Sequence, residues 1–210
     1  SILDSRGRPT VEVDCFVDGS FMSRAAVPSG ASTGSHEAVE LRDGGDSWHG
    51  SGVEKAVNNV NSVLRDILVG SDVLDQKAVD DLLIKADGSA NKSIMGANAI
   101  LGCSMAVFRA SSLVKEVPIW QNLPGIWPEP RLPVPLMNIL NGGAHASTNV
   151  DVQEFMVVPY GFSDFSSALR AGTETYHALK KILNEKNLLG GIGDEGGFAP
   201  SLQKNEDGLK

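Results

Sequence analysis

The first part of the chain alternates between apolar and polar residues, a period-two pattern typical of β-strands that bury one face. Residues 10–17 alternate in this way, and their apolar face is formed by Val11, Val13, Cys15 and Val17. Asp18 and Gly19 then favour a tight turn into residues 21–27, so the pattern predicts a β-hairpin. Residues 38–42 alternate again and predict a third antiparallel strand.

After residue 50 the apolar residues recur at the spacing of helices. Three helices are predicted, at residues 53–67, at residues 79–83 behind a cap at Asp75, and at residues 97–115. Three strands followed by three helices predict a small α+β domain.

A proline-rich segment separates this domain from the rest of the chain. Residues 124–135 hold five of the ten prolines, a density that neither a helix nor a central strand tolerates. We therefore predict an α+β domain at residues 1–123, a linker at residues 124–135 and a second domain at residues 136–210.

The second domain begins with two apolar strand patterns, at residues 136–140 and 155–158, followed by a long helix at residues 163–187 and the start of another helix near Glu206. Two strands and one helix cannot close a sheet, and their open edges need further chain to cover them. Together with the abrupt start and end of the sequence, this predicts that the chain is part of a longer protein.

Composition narrows the classes of function. The chain has 210 residues, of which 41% are hydrophobic and 21% charged, and a net charge of −8. This balance is typical of acidic globular proteins and not of disordered, collagen-like or nucleic-acid-binding ones. No stretch reaches the roughly 18 consecutive apolar residues of a membrane span, and we expect no signal peptide.

The two cysteines, Cys15 and Cys103, stand at apolar periodic positions. This predicts two buried thiols in a reducing compartment, the cytoplasm, and leaves a disulfide between them as the alternative.

Three loops carry residues suited to chemistry. The first, residues 30–34, matches G-x-S-x-G, the turn that exposes a nucleophilic serine in some hydrolases. However, such a turn follows several strands of a parallel sheet, and only a hairpin precedes Ser32. Small residues also suit a mobile lid in which Ser32 gives oxygen ligands to a hard cation. A flexible loop without a function is the third interpretation.

The second loop, residues 191–196, matches the dinucleotide-binding pattern G-x-G-x-x-G. That motif should follow a strand, whereas a helix precedes it here, and Asp194 and Glu195 would place two negative charges beside a pyrophosphate. Carboxylates among glycines better suit an acid, or a ligand for a metal or water. An exposed acidic turn is the alternative.

The third loop places His145 after an apolar strand, among glycines, where catalytic groups are often positioned. A histidine that is simply exposed is the alternative. Gln153 and Glu154 stand at the start of the next strand, where Glu154 could equally be a surface residue.

Taken together, these segments resemble enolase, in the same order and with similar separations. The resemblance rests on residues 5–13, 27–34, 138–145, 153–156 and 193–197, with support from residues 91–102. It covers essentially the whole chain, and residues 149–152 look more like bacterial members. The family fold implied is a small α+β domain followed by a TIM-like barrel that begins β-β-α-α instead of β-α.

The resemblance implies a cytoplasmic glycolytic lyase that dehydrates 2-phosphoglycerate to phosphoenolpyruvate with two Mg²⁺ ions, as a homodimer or larger assembly. Removing a proton next to a carboxylate builds up negative charge there, which two cations can stabilise. The partner expected is thus a small-molecule substrate.

The resemblance also implies a role for each loop. Glu195 would protonate the departing hydroxyl, and Glu154 would help to position that hydroxyl. Ser32 would bind the second Mg²⁺, His145 would lie on a loop that closes over the substrate, and Gln153 would be a polar contact of the substrate beside them.

The family's carboxylates for the first Mg²⁺, its base lysine and its phosphate-binding arginine and serine lie beyond residue 210. We therefore expect the 210-residue chain to be inactive alone and the longer protein to be active. The alternatives are a non-catalytic binding or scaffold module and, more distantly, a hydrolase that uses Ser32.

Overall fold

The structure is a computed structural model that describes residues 1–30, 34–123, 130–193 and 196–209, with the exception of the Ala144 side chain. Half of the predicted linker, residues 124–129, lies outside these ranges. Internal contacts divide the chain into two compact units, residues 1–128 and residues 129–210. Each unit is described by itself.

The first unit opens with four strands in two antiparallel pairs, β1 (Ile2–Leu3) with β2 (Pro9–Thr10), and β3 (Glu12–Val17) with β4 (Ser20–Ala26). The pair β3–β4 confirms the predicted hairpin. Its two turn residues, Asp18 and Gly19, both have positive φ angles, 49° and 78°, as the favoured two-residue hairpin turns require.

The predicted third strand, residues 38–42, does not form a strand. The Val39 N–H donates to the Asn91 carbonyl (2.8 Å), and the Val39 carbonyl accepts from the Ala97 N–H (2.8 Å). The buried Asn98 side chain bonds both the N–H and the carbonyl of Leu41. The backbone of this segment is therefore paired with the loop before a helix and not with the hairpin, which leaves two-stranded sheets in place of the three-stranded one.

The helices of the first unit are α1 (Glu54–Asn59), a π-helical turn (Val60–Leu64), α2 (Arg65–Leu68), α3 (Gln76–Asp87), α4 (Ala97–Val114) and α5 (Ile119–Asn122). The first three follow each other without a break and confirm the first predicted helix. Asp75 caps α3 as predicted, because its carboxylate accepts from the Ala78 N–H at 3.0 Å.

The core of the first unit lies between α4 and the hairpin. The buried residues Val13 and Val27 face α4 at Gly102, where an added Cβ atom would lie 2.7 Å from Val13 Cγ2. By length and composition alone α4 could cross a membrane, but 56% of it is buried inside the fold. We therefore assign α4 to the core.

Both cysteines are free thiols, Cys103 buried and Cys15 half-buried, so the disulfide is not formed. Burial raises the pKa of both thiols, that of Cys103 to about 12. Thiols that stay protonated in this way are weak nucleophiles. The prediction of two buried thiols is confirmed for Cys103, whereas Cys15 is only half-buried.

The second unit contains β5 (Met137–Asn141), a 3-10 turn (Gly143–His145), β6 (Glu154–Val157), α6 (Phe165–Glu185) and a 3-10 turn (Asn205–Leu209). Strands β5 and β6 are antiparallel, and Phe198 adds a single parallel bridge to Leu140 of β5. Asp164 caps α6 by accepting from the Ser167 N–H at 2.8 Å. Both predicted strands and the long helix are confirmed, whereas the segment at Glu206 is a 3-10 turn.

Candidate active site

The site candidates of the second unit lie where β5 ends and β6 begins. Because the two strands are antiparallel, the loop that carries His145 leaves β5 at the end of the sheet where β6 begins. Two backbone hydrogen bonds fasten this loop: the Gly142 N–H donates to the Gln153 carbonyl (3.0 Å) and the Gly143 N–H to the Val150 carbonyl (2.6 Å).

The glycines of the loop are required by a close approach of backbone to backbone. A Cβ atom on Gly142 would lie 2.6 Å from the Val150 carbonyl oxygen and would also meet that of Val152. Gly143 has a φ of +53°, and its Cβ would lie 3.0 Å from the Asp151 oxygen. Any larger residue would therefore push the His145 loop away from the segment that leads into β6.

The structure brings three of the predicted site residues together. His145 Nδ1 lies 3.3 Å from Glu154 Oε1, and His145 Nε2 lies 2.7 Å from Gln153 Nε2. The His145 side chain is only 4% exposed, so the alternative of an exposed loop histidine is wrong. In this cluster the imidazole lies between a carboxylate and an amide.

The glycines around the acidic dipeptide are also well defined. The Gly193 N–H donates to the Gly197 carbonyl (2.8 Å), and the Gly196 N–H donates to the Gly193 carbonyl (3.0 Å). Glu195, the predicted acid, and Asp194 stand between these glycines in the sequence and lie outside the described residues.

A buried asparagine that sequence reasoning missed joins the two loops. Asn141 is fully buried; its Nδ2 donates to the Gly197 carbonyl (2.7 Å), and its Oδ1 accepts from Asn138 Nδ2 (2.6 Å). A Cβ on Gly197 would lie 2.7 Å from this Nδ2, and one on Gly193 would lie 2.9 Å from the His145 carbonyl oxygen. The available signal was a polar residue at the end of a mostly apolar strand.

A tyrosine of α6 holds the same glycines from another side. The Tyr176 hydroxyl donates to the Gly196 carbonyl at 3.2 Å. Its ring stacks on that of Phe198, with centroids 4.5 Å apart and an angle of 17° between the planes. Sequence reasoning also missed Tyr176, because its hydroxyl partner is 20 residues away.

Ser32, the candidate of the first unit, lies outside the described residues, but both flanks of its loop are anchored. Arg6 Nη2 donates to the carbonyls of Ser29 and Gly30, each at 3.0 Å. On the other side the Gly34 N–H donates to Glu37 Oε1 at 2.8 Å. Residues 34–46 form no helix, whereas the nucleophile turn of hydrolases leads directly into one. The local structure therefore argues against the hydrolase interpretation.

The described part of the chain contains no group of three or more His, Cys, Asp or Glu residues that could hold a metal ion. Glu154 is the one carboxylate of the described cluster with His145 and Gln153. These residues alone therefore do not fit a Mg²⁺ site.

Comparison with known families identifies both units. The family model for the enolase N-terminal domain matches residues 1–123, and the model for the enolase C-terminal TIM barrel domain matches residues 129–210. The chain belongs to the enolase family. The resemblance found in the sequence is thereby confirmed, and with it membership of a family of lyases; the likeness to bacterial enolases stays a prediction. In enolase terms, the His145–Gln153–Glu154 cluster lies in the TIM barrel domain, at the edge where β5 ends.

Proposed function

We propose that this chain is part of a full-length enolase that dehydrates 2-phosphoglycerate to phosphoenolpyruvate. The observation that carries the proposal is the cluster of His145, Gln153 and Glu154 at the carboxyl end of β5, in a domain of the enolase barrel family. Active sites of TIM barrels lie at the carboxyl ends of their strands. The glycines that flank Glu195 pack against the same strand end.

The two carboxylates, Glu195 and Glu154, have separate roles in the proposed reaction. We assign Glu195 as the acid that protonates the departing hydroxyl and Glu154 as the residue that positions this hydroxyl. An acid must hold its proton near neutral pH, and a second carboxylate nearby favours this because two like charges repel. His145 lies beside Glu154, where its loop would close over the substrate, and Gln153 is the polar residue next to both.

Two Mg²⁺ ions belong to the proposal, and they would stabilise the charge that develops on the substrate carboxylate. From this chain Ser32 would bind one of them. The described residues do not form a metal site alone, so the metal carboxylates, the base lysine and the phosphate-binding groups would come from the part of the family's chain beyond residue 210. We therefore assign no step to the metal. A cytoplasmic location, a homodimer or larger assembly, and domains at residues 1–123 and 136–210 complete the proposal.

Turnover tests the proposal directly. The full-length protein with Mg²⁺ should convert 2-phosphoglycerate to phosphoenolpyruvate, and the chain of residues 1–210 should not. An inactive full-length protein would contradict the proposal, and a natural polypeptide with an intact mass of 22.2 kDa would favour the non-catalytic module.

The assignment of Glu195 has a matched control in the same unit. In the full-length protein, Glu195→Gln should lower kcat by about 100-fold or more, the range of general acid catalysis. Glu206→Gln makes the same chemical change at an exposed carboxylate and should leave kcat unchanged. Equal activity of the two variants would remove Glu195 from the mechanism.

A further inference from the structure

The two ring nitrogens of His145 face two consecutive residues of the chain. Nε2 lies 2.7 Å from the amide nitrogen of Gln153, and Nδ1 lies 3.3 Å from the carboxylate of Glu154. The ring itself is almost completely buried. The surroundings of the imidazole are therefore set by protein groups and not by bulk water.

The chemistry of these two neighbours determines which nitrogen carries the proton. An amide nitrogen has two N–H donors and cannot accept a hydrogen bond, so the imidazole nitrogen that faces it must be the acceptor. A neutral imidazole has one acceptor and one donor nitrogen, which leaves the proton of His145 on Nδ1. Nδ1 faces a carboxylate, which accepts when ionised. Both neighbours therefore favour the same tautomer.

The position of Gln153 relative to His145 is built into the backbone. The Gln153 carbonyl accepts from the Gly142 N–H at 3.0 Å, and the His145 N–H donates to the Gly142 carbonyl at 3.1 Å. Gly142 thus connects the backbones of both residues, in a place where no Cβ atom fits. The backbones that carry the amide and the imidazole are consequently held close to each other.

We propose that Gln153 is a positioning residue that holds His145 as the Nδ1–H tautomer, with this N–H facing Glu154. In this arrangement the Nε2 lone pair is occupied by the Gln153 amide, so His145 does not act as a base through Nε2. Gln153 then acts through His145, which differs from its expected role as a direct contact of the substrate. The tautomer is independent of the proposed function, and only its effect on turnover rests on that function.

Nitrogen-15 NMR of the full-length protein, labelled at histidine, tests the tautomer without any substrate. At about pH 8.5, where free imidazole is neutral, the signals that disappear in His145→Asn are assigned to His145. We expect a pyrrole-type signal from Nδ1 and a pyridine-type signal from Nε2. The opposite assignment would overturn the proposal.

The most direct test of the proton position is a variant that exchanges only the amide nitrogen of Gln153 for an oxygen. Gln153→Glu replaces the amide donor by an acceptor of nearly the same shape, so Nε2 would also face a carboxylate and should gain a proton. Its signal should change from pyridine-type to pyrrole-type. Gln203→Glu adds the same charge at an exposed glutamine of the same unit and should leave both signals in place. A pyridine-type Nε2 signal that persists in Gln153→Glu would contradict the proposal.

Kinetics separate positioning from substrate binding. Gln153→Met keeps the length of the side chain and removes the donor. We expect kcat to fall about 2- to 10-fold, the value of one hydrogen bond, with KM within about twofold of the original. A rise in KM at unchanged kcat would show that Gln153 contacts the substrate and would overturn its positioning role. If the unaltered full-length protein has no turnover, the proposed function fails, and the NMR result still decides the tautomer.

Discussion

The core of the first unit and the strand ends of the second are both tightly packed, but different kinds of contact hold them. Between the hairpin and α4, apolar side chains meet, and Gly102 lets the helix approach Val13. At the end of β5, backbone carbonyls and amide groups meet at Gly142 and Asn141. A methyl group can repack when a neighbour grows, whereas a hydrogen-bonded carbonyl cannot. We therefore expect the site to tolerate small changes less well than the core.

Gly142→Ala should have the largest effect, because its Cβ would press on the carbonyls of Val150 and Val152. We expect the free energy of unfolding of the second domain to fall by about 3 kcal/mol. Urea unfolding of the full-length protein measures this loss of free energy when it is monitored by hydrogen exchange of the amides in peptides from β5 and β6.

Gly191→Ala is the matched control for that variant. A Cβ atom on Gly191 has no heavy atom within 4 Å, and no positive φ is required there. We expect unchanged or slightly higher stability, since alanine restricts the unfolded chain. If Gly142→Ala and Gly191→Ala lower the free energy of unfolding equally, the close approach of the carbonyls does not explain why glycine is required at position 142.

Asp87 tests whether the first unit also depends on a buried polar contact. Its carboxylate is 3% exposed and accepts from the N–H groups of Ser89, Ile94 and Met95 and from the Ser89 hydroxyl. An amide at this position could accept at only one of its two atoms. Asp87→Asn should therefore lower the free energy of unfolding by about 2 kcal/mol at pH 7. Asp66→Asn, at an exposed carboxylate, should change it by less than about 0.5 kcal/mol.

The pH dependence of that loss has a definite sign. Burial raises the pKa of Asp87, but the hydrogen bonds from Ser89, Met95 and Ile94 outweigh it, and the net pKa is lowered. The unfolded chain then binds the proton more readily, so the stabilisation is complete above the ordinary carboxyl pKa and is lost as pH falls through the folded pKa. Urea unfolding at several pH values should show the Asp87→Asn difference shrinking below about pH 4. A difference that does not depend on pH would contradict the role of the charge.

Gly102→Ala measures the tolerance of the apolar core. The new methyl would meet Val13 Cγ2 at 2.7 Å, a side-chain tip that can move, and alanine favours the helix by about 1 kcal/mol. Overpacking costs about 1–3 kcal/mol, so we expect a net loss of about 1 kcal/mol in urea unfolding. A loss as large as that of Gly142→Ala would show that the core tolerates a small change no better than the site does.

Tyr176→Phe should have the smallest effect. The ring stack on Phe198 stays, and only the hydrogen bond to the Gly196 carbonyl is removed. We expect about 0.5–1 kcal/mol less protection in amide exchange of peptides that contain residues 196–199. Thr175→Val removes a hydroxyl that bonds its own helix and should leave these peptides unaffected. Equal protection in both variants would show that the Tyr176 hydroxyl does not hold the glycines.

The elements that the sequence predicted correctly are those with local causes. The hairpin follows from alternation and a turn at Asp18 and Gly19, and α3 follows from helical spacing behind Asp75. Residues 38–42 alternate equally well, but alternation does not determine which segment a strand pairs with. These residues bond to the loop at Asn91 and not to the hairpin.

The site was predicted in part. His145, Gln153 and Glu154 were candidates from their positions beside two apolar strands, the family resemblance implied their roles, and the structure brings them together. Asn141 and Tyr176 were missed because their partners, Gly197 and Gly196, are 56 and 20 residues away. The glycines of the His145 loop were interpreted as part of a catalytic loop. The structure shows why glycine is needed there: the carbonyl oxygens of residues 150–152 leave no room for a Cβ atom.

We propose above that Glu154 and Glu195 act together in an enolase reaction. Phosphoenolpyruvate formation by full-length Glu154→Gln, Glu195→Gln and the double variant tests it most directly. If the two residues act as a unit, each single change lowers kcat by about 100-fold or more, and the double change lowers it no further than the worse single one. Losses that multiply in the double variant, or a single variant with unaltered turnover, would contradict the account.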